Sequence, residues 1–208
     1  MIKAVLFDYG GVLSPSGGKD DVPKALAHIY GIEQDEVKVK DLHEKLLLGD
    51  ITDETFVDEL NRRHTSGTRL IKALFFEKVD MLKRNEEIYK LAVTLRANGI
   101  RTGILSNAYA MTAELLQDNG LYEGFDPVVL SCQEHLKKPS TEFYQIAIQK
   151  LGIAPTEIIF VDDQEKCLPP AEKLGMHVVQ ALSPEQAIAD TLAIIERENS
   201  KIKVPALK

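Results

Sequence analysis

The sequence predicts an α/β fold: a doubly wound, Rossmann-like parallel sheet with a helical segment inserted after the first strand. Three observations predict it. Short apolar runs recur along the chain, each closed by glycine or by polar residues, which is how strands buried on both faces read. Between them lie stretches with apolar residues at helical spacing. From about residue 85 onward the two patterns alternate, as βαβ units do, and right-handed crossovers then place helices on both faces of the sheet.

The first run, Met1 to Phe7, stops at Asp8, with Gly10 and Gly11 next. Ser14 to Asp21 (SPSGGKDD) is a loop by composition. Gly18-Lys19 does not make a phosphate loop, because Leu13 stands where the motif needs its first glycine and Asp20 where it needs Ser or Thr. Val22 to Arg84 is helical throughout, with Ala25, Leu26 and Ile29, then Leu42, Leu46 and Leu47, then Leu70 to Leu82 at helical periods. Gly49-Asp50 interrupts it, and Thr52 or Asp53 caps a helix running through Phe56, Val57 and Leu60.

Ile88, Leu91, Ala92 and Leu95 mark the next helix, which Gly99 stops. A strand from Ile100 to Leu105 ends at Ser106-Asn107, and a helix follows to Asn119-Gly120. Pro127 to Leu130 is a short strand. Phe143, Ile146, Ala147 and Leu151 give a helix that ends at Gly152. Glu157 to Val161 is a strand ending at Asp162-Asp163. Pro169-Pro170 open a short helix that ends at Gly175, since proline is tolerated in a first turn. His177 to Leu182 is the last strand, and Pro184 opens the last helix, through Ile188, Leu192 and Ile195. The expected organisation is a core of residues 1–14 and 85–200, a helical cap of residues 15–84 and a loose tail at 201–208.

The length of 208 residues suits one domain with an insertion, and 44% hydrophobic content supports a core without disulfide staples. With 25 Lys and Arg against 32 Asp and Glu, the net charge of −7 argues against a nucleic-acid or anionic-membrane partner. Cys132 and Cys167 form neither a zinc framework nor a disulfide scaffold, so a reducing, cytoplasmic setting is expected. No apolar run has the length of a membrane span. Nothing distinguishes a monomer from a homodimer.

Three strands end in polar residues: Asp8, Ser106 with Asn107, and Asp162 with Asp163. In open α/β sheets ligands bind at that edge. A carboxylate there can attack a phosphoryl group, paired acids can hold Mg²⁺, and a Ser hydroxyl with the Lys138 ammonium can bind phosphoryl oxygens. Each residue alone reads equally as a turn or a helix cap; the case rests on their convergence.

Taken together, Phe7-Asp8-Tyr9-Gly10-Gly11-Val12-Leu13, Ile104-Leu105-Ser106-Asn107, Lys138-Pro139 and Ile158-Ile159-Phe160-Val161-Asp162-Asp163 resemble the motifs of the haloacid dehalogenase superfamily, in order and with the helical insertion after the first. The stretch from Phe125 to Met176 is similar to the branch holding the phosphatase domain of bifunctional epoxide hydrolases and small sugar-phosphate phosphatases. The resemblance implies Asp8 as the nucleophile, forming an aspartyl-phosphate. It implies Ser106, Asn107 and Lys138 as binders of a small phosphorylated molecule. It implies Asp8, the Gly10 carbonyl, Asp163 and Asp162 as Mg²⁺ ligands, with Asp162 alternatively holding a water.

The sequence departs from that pattern where family phosphatases place a second Asp, the general acid–base, two residues after the nucleophile: it has Gly10. Gly10 therefore sets beside a phosphatase a catalytically weak or inactive protein that binds a phosphorylated ligand or partner; a metal-independent dehalogenase, in which Asp8 attacks carbon, is a separate alternative that the paired acids Asp162-Asp163 oppose. Cys167 stands where the family often has Asn or Asp, and is expected to be buried packing. Tyr9 should point away from Asp8 by strand alternation. Asn61-Arg62-Arg63-His64 reads as a solvated cationic face, and His135 as a surface residue.

Overall fold

The computed structural model describes residues 1–15, 37–63 and 82–200. The expected helices around Ala25 and Leu70, most of the SPSGGKDD loop and the tail lie outside these residues. Five strands form one sheet in the order β3-β2-β1-β4-β5, every neighbouring pair parallel. They are β1 (Ala4–Phe7), β2 (Arg101–Ser106), β3 (Val128–Leu130), β4 (Ile158–Asp162) and β5 (His177–Gln180). β1 begins three residues later than its apolar run, and β5 ends two residues earlier.

The helices are α1 (Val37–Leu47) and α2 (Asp53–Arg63) in the inserted segment, then α3 (Glu86–Ala97), α4 (Ala110–Asp118), α5 (Ser131–Glu134), α6 (Thr141–Leu151), α7 (Leu168–Lys173) and α8 (Pro184–Ser200). α5 was not foreseen, because four residues carry no helical period. At the start of α2 the Thr55 N–H donates to Thr52 Oγ1 at 3.1 Å, so Thr52 is the cap and Asp53 lies inside the helix. α6 ends at Gly152, whose φ of 64° is the left-handed turn that a side chain disfavours.

Strand alternation splits the core into two layers. Val5, Phe7, Ile104, Ile159 and Val161 pack with Ile88, Leu91, Ala92 and Leu95 of α3, Leu116 of α4 and Ala187 of α8. Ala4, Leu6, Leu105, Ile158 and Phe160 face Phe143, Tyr144 and Ala147 of α6 and Ala171 of α7. All four residues of β1 are fully buried, as a central strand covered on both faces requires. No helix among the described residues is long and apolar enough to cross a membrane.

Register then sets the chemistry. Phe7 pairs with Ile104 on one side and Val161 on the other. The next residue of each strand brings Asp8 level with Leu105 and Asp162, and the Asp8 N–H donates to Val161 O at 2.8 Å. The carboxyl ends of β2, β1 and β4 thus carry Ser106, Asp8 and Asp162 side by side.

Candidate active site

Asp8 is buried, and three donors converge on its Oδ1: the Tyr9 N–H at 2.7 Å, Ser106 Oγ at 2.7 Å and Lys138 Nζ at 2.9 Å. Lys138 Nζ also meets Asp162 Oδ2 at 2.6 Å. The other oxygen of Asp162 accepts the Gln164 N–H at 2.8 Å. Asp162 is therefore committed on both oxygens. Asp163 is not: its Oδ1 is buried with no hydrogen-bond partner among the described residues.

Asp8, Asp162 and Asp163 offer oxygens that all lie within 4.8 Å of one another. Three carboxylates face one ammonium there. Burial alone would depress the Lys138 ammonium, but Asp162 and Asp8 outweigh it and hold its pKa above the ordinary lysine value. Burial raises the Asp8 carboxyl, against the opposing pull of Lys138, and Asp162 raises it further. Burial and the charges of Asp8 and Asp162 push Asp163 up to about 6. Such an excess of negative charge out of water is costly unless a cation balances it. An orphaned oxygen in an oxygen-only donor set fits a hard divalent ion such as Mg²⁺.

Gly11 makes room for that donor set. Its φ is +78°, and a Cβ there would lie 2.6 Å from Asp163 Cγ. Gly10 is buried and bridges to Ser14, and it offers no side chain two residues after Asp8.

Asn107 turns its side-chain amide to the backbone of Lys138, donating from Nδ2 to Lys138 O at 3.1 Å and accepting the Lys138 N–H on Oδ1 at 2.8 Å. Neither Ser106 nor Asn107 caps the following helix. Instead the Met111 N–H donates to Asp53 Oδ2, from the inserted segment, at 3.3 Å. Tyr9 packs in the core edge to face with Tyr122, ring centres 5.8 Å apart. Cys167 is buried, and burial pushes its thiol up to about 12. His135 is exposed and pairs with Asp50 at 3.4 Å. Arg62 is exposed and pairs with Glu59 at 2.6 Å, while the side chains of Asn61, Arg63 and His64 lie outside those described.

Sequence reasoning missed the contacts by which the insertion reaches the site's loops. His43 Nε2 lies 2.6 Å from the Tyr109 hydroxyl. Lys137 pairs with Glu44. Ser131 Oγ donates to Leu47 O at 2.7 Å and accepts the Ala108 N–H at 3.0 Å. These are tertiary pairings between residues far apart in the chain, and no local pattern announces them.

A family model for haloacid dehalogenase-like hydrolases matches residues 2–175. The chain belongs to that family. Among curated relatives of this haloacid dehalogenase-like hydrolase is mouse acyl-CoA dehydrogenase family member 10, 29% identical over 93% of this chain and 19% of that protein. Another is glyceraldehyde 3-phosphate phosphatase of Methanocaldococcus jannaschii, 30% identical over 50% of this chain and 47% of that one. The match spans less than half of either relative's length. Among solved structures, a family enzyme of Bacteroides thetaiotaomicron in complex with magnesium and inorganic phosphate shares the fold, with a TM-score of 0.68 at 21% identity over 86% of this chain and 94% of that one.

Proposed function

We propose that this haloacid dehalogenase-like hydrolase is a Mg²⁺-dependent phosphatase of a small phosphorylated molecule, working through an aspartyl-phosphate on Asp8. The observation that carries the reading is the convergence of Ser106 Oγ and Lys138 Nζ on Asp8 Oδ1, beside the orphaned Asp163 oxygen. The phosphatase relative and the neighbour holding magnesium and phosphate support it. Asp8, Asp163 and the Gly10 carbonyl would hold Mg²⁺, which would offset the charge of nucleophile and phosphoryl group together. Asp162, committed to Lys138 and Gln164, orients the lysine.

Asp8 attacks phosphorus through a carboxylate oxygen, and the phosphorus–oxygen bond to the leaving group breaks with its electron pair. Ser106 and Lys138 bind phosphoryl oxygens as charge builds on them. Water then cleaves the acyl phosphate. Gly10 supplies no proton to the departing oxygen, and acid catalysis is typically worth about 10²–10⁴-fold. Leaving groups stable as anions, those of aryl and acyl phosphates, are therefore expected to be favoured over alkyl phosphates. Residues 1–14 and 85–200 act as the catalytic core, and residues 15–84 as a cap that sets specificity.

The test is phosphate release from aryl, acyl, sugar and nucleotide phosphates, with Mg²⁺ or chelator, for the wild type and Asp8→Asn. Release that needs both Mg²⁺ and Asp8, fastest on aryl or acyl phosphates, is expected. Turnover surviving Asp8→Asn would overturn the mechanism, and equal rates on aryl and alkyl phosphates would overturn the leaving-group argument. Gly10 also favours a second reading, a protein that binds a phosphorylated ligand with little turnover. Thermal stabilisation by a panel member without phosphate release would select it.

A further inference from the structure

Lys138 sets out from the irregular stretch between α5 and α6, yet its ammonium has to sit between Asp8 and Asp162 with little freedom. A lysine has a flexible four-carbon stem, so the placement of its tip depends on how firmly its backbone is held. Among the described residues one side chain holds it. The amide of Asn107 faces both backbone groups of Lys138, accepting from its N–H at 2.8 Å and donating to its carbonyl at 3.1 Å. Asn107 follows Ser106, so the clamp ties the lysine's loop to the strand end that carries the hydroxyl on Asp8.

We propose that Asn107 is a positioning residue that acts through Lys138, not a contact to the substrate. The inference rests on the phosphatase reading only for its kinetic consequence. A side-chain amide carries a donor and an acceptor side by side, as a neighbouring strand would present them. Asp would offer acceptors alone and set one of them against the Lys138 carbonyl; Ala offers neither. Without the clamp the loop holding Lys138 shifts, and a misplacement of about 1 Å from a residue outside the chemistry can cost about 10²-fold in rate.

The decisive readout needs no substrate. In protein labelled with ¹⁵N-lysine, free of metal and ligand, a buried ammonium held by two carboxylates gives a slowly exchanging signal. Lys138→Arg assigns it by removing it. Asn107→Ala is expected to lose that signal to fast exchange. Asn107→Asp, nearly the same shape, is expected to do the same and serves if the alanine variant fails to fold. A signal kept at its wild-type position and exchange rate in a folded variant overturns the proposal. In the kinetic arm, Asn107→Ala is expected to lower kcat by about 10–100-fold, the usual cost of losing a supporting contact, with KM little changed. A rise in KM with the ammonium signal intact would make Asn107 a substrate contact instead. If the wild type releases no phosphate from any compound, the phosphatase reading fails while the ammonium signal still decides the role of Asn107.

Discussion

Asp163→Asn should stabilise the metal-free chain and abolish its stabilisation by Mg²⁺. In the absence of metal, Asp163 carries a charge that its surroundings oppose: burial and the carboxylates of Asp8 and Asp162 raise its pKa from 3.8 to about 6. At about 1.36 kcal/mol per pH unit, that rise corresponds to about 3 kcal/mol against the ionised folded form. The group keeps contact with solvent, and screening reduces the figure to about 1–2 kcal/mol. The sign is fixed by the direction of the shift. A carboxyl raised on folding costs nothing below its unfolded value near 3.8, and its full penalty applies above about 6. At pH 7.5 in chelator the neutral amide removes that penalty. For a chain of this size, about 1–2 kcal/mol moves the melting temperature up by roughly 2–8 °C. With Mg²⁺ the order reverses: the wild type gains stability by mass action, and the variant, missing the uncommitted carboxylate, gains little. Differential scanning calorimetry of both proteins, in chelator and at millimolar Mg²⁺, reads all four values. A variant that melts below the wild type in chelator would refute the charge argument. A variant that gains as much from Mg²⁺ as the wild type would refute the placement of the cation.

Three further outcomes follow from the same geometry. Gly11→Ala forces a side chain onto a left-handed backbone at a cost of about 1–2 kcal/mol and drives a Cβ into the Asp163 carboxylate; a lowered melting temperature in chelator and a weaker Mg²⁺ response are expected, and an unchanged pair of values would contradict the close approach. Ser131→Ala removes the fully buried hydroxyl that joins Leu47 O to the Ala108 N–H, leaving one half-buried and one buried residue's backbone group without it. Urea denaturation should show a loss of about 1–3 kcal/mol, and a loss near zero would mean that solvent reaches the junction. Cys167, buried with its thiol held near 12, should resist maleimide at pH 8 in the native chain and react on unfolding; mass spectrometry of the labelled native protein showing modification at Cys167 would contradict its burial.

The parts of the site that were legible in the sequence are those fixed by covalent neighbourhood. Asp8, Ser106 and Asp162 each close an apolar run, and a parallel sheet necessarily brings such ends to one edge. Burial on both faces made the runs continuous and therefore visible. What was not legible depends on contacts that only the folded chain creates. Ser106-Asn107 has the composition of a helix cap, yet the serine turns to Asp8 and the asparagine to Lys138, and the N-terminus of α4 takes its acceptor from Asp53, 58 residues away in sequence. A local rule fails there because a tertiary partner competes for the same polar atoms and wins. Ser131 shows the same limit: one serine at a strand end says nothing of the backbone groups it will join. The pairing of His43 with Tyr109 likewise needed the inserted segment to be in place.

The two glycines that follow Asp8 and Tyr9 play different parts. Gly11 is demanded by the chain itself, since both its φ and the nearby Asp163 carboxylate exclude a side chain. Gly10 does not share the backbone part of that constraint: it is not among the residues with a left-handed φ. Its lack of a side chain therefore bears on chemistry before backbone geometry. The floor it adjoins gathers a lysine kept charged by two carboxylates and one acid left uncommitted, a set that suits an anion beside a cation. In the phosphatase reading, Ser106 and Lys138 offset charge on the phosphoryl side of the breaking bond, and neither serves the leaving group. The leaving-group side must obtain its proton from solvent, from the substrate or from the inserted segment. On that reading, selectivity follows from the leaving group's own ability to carry charge.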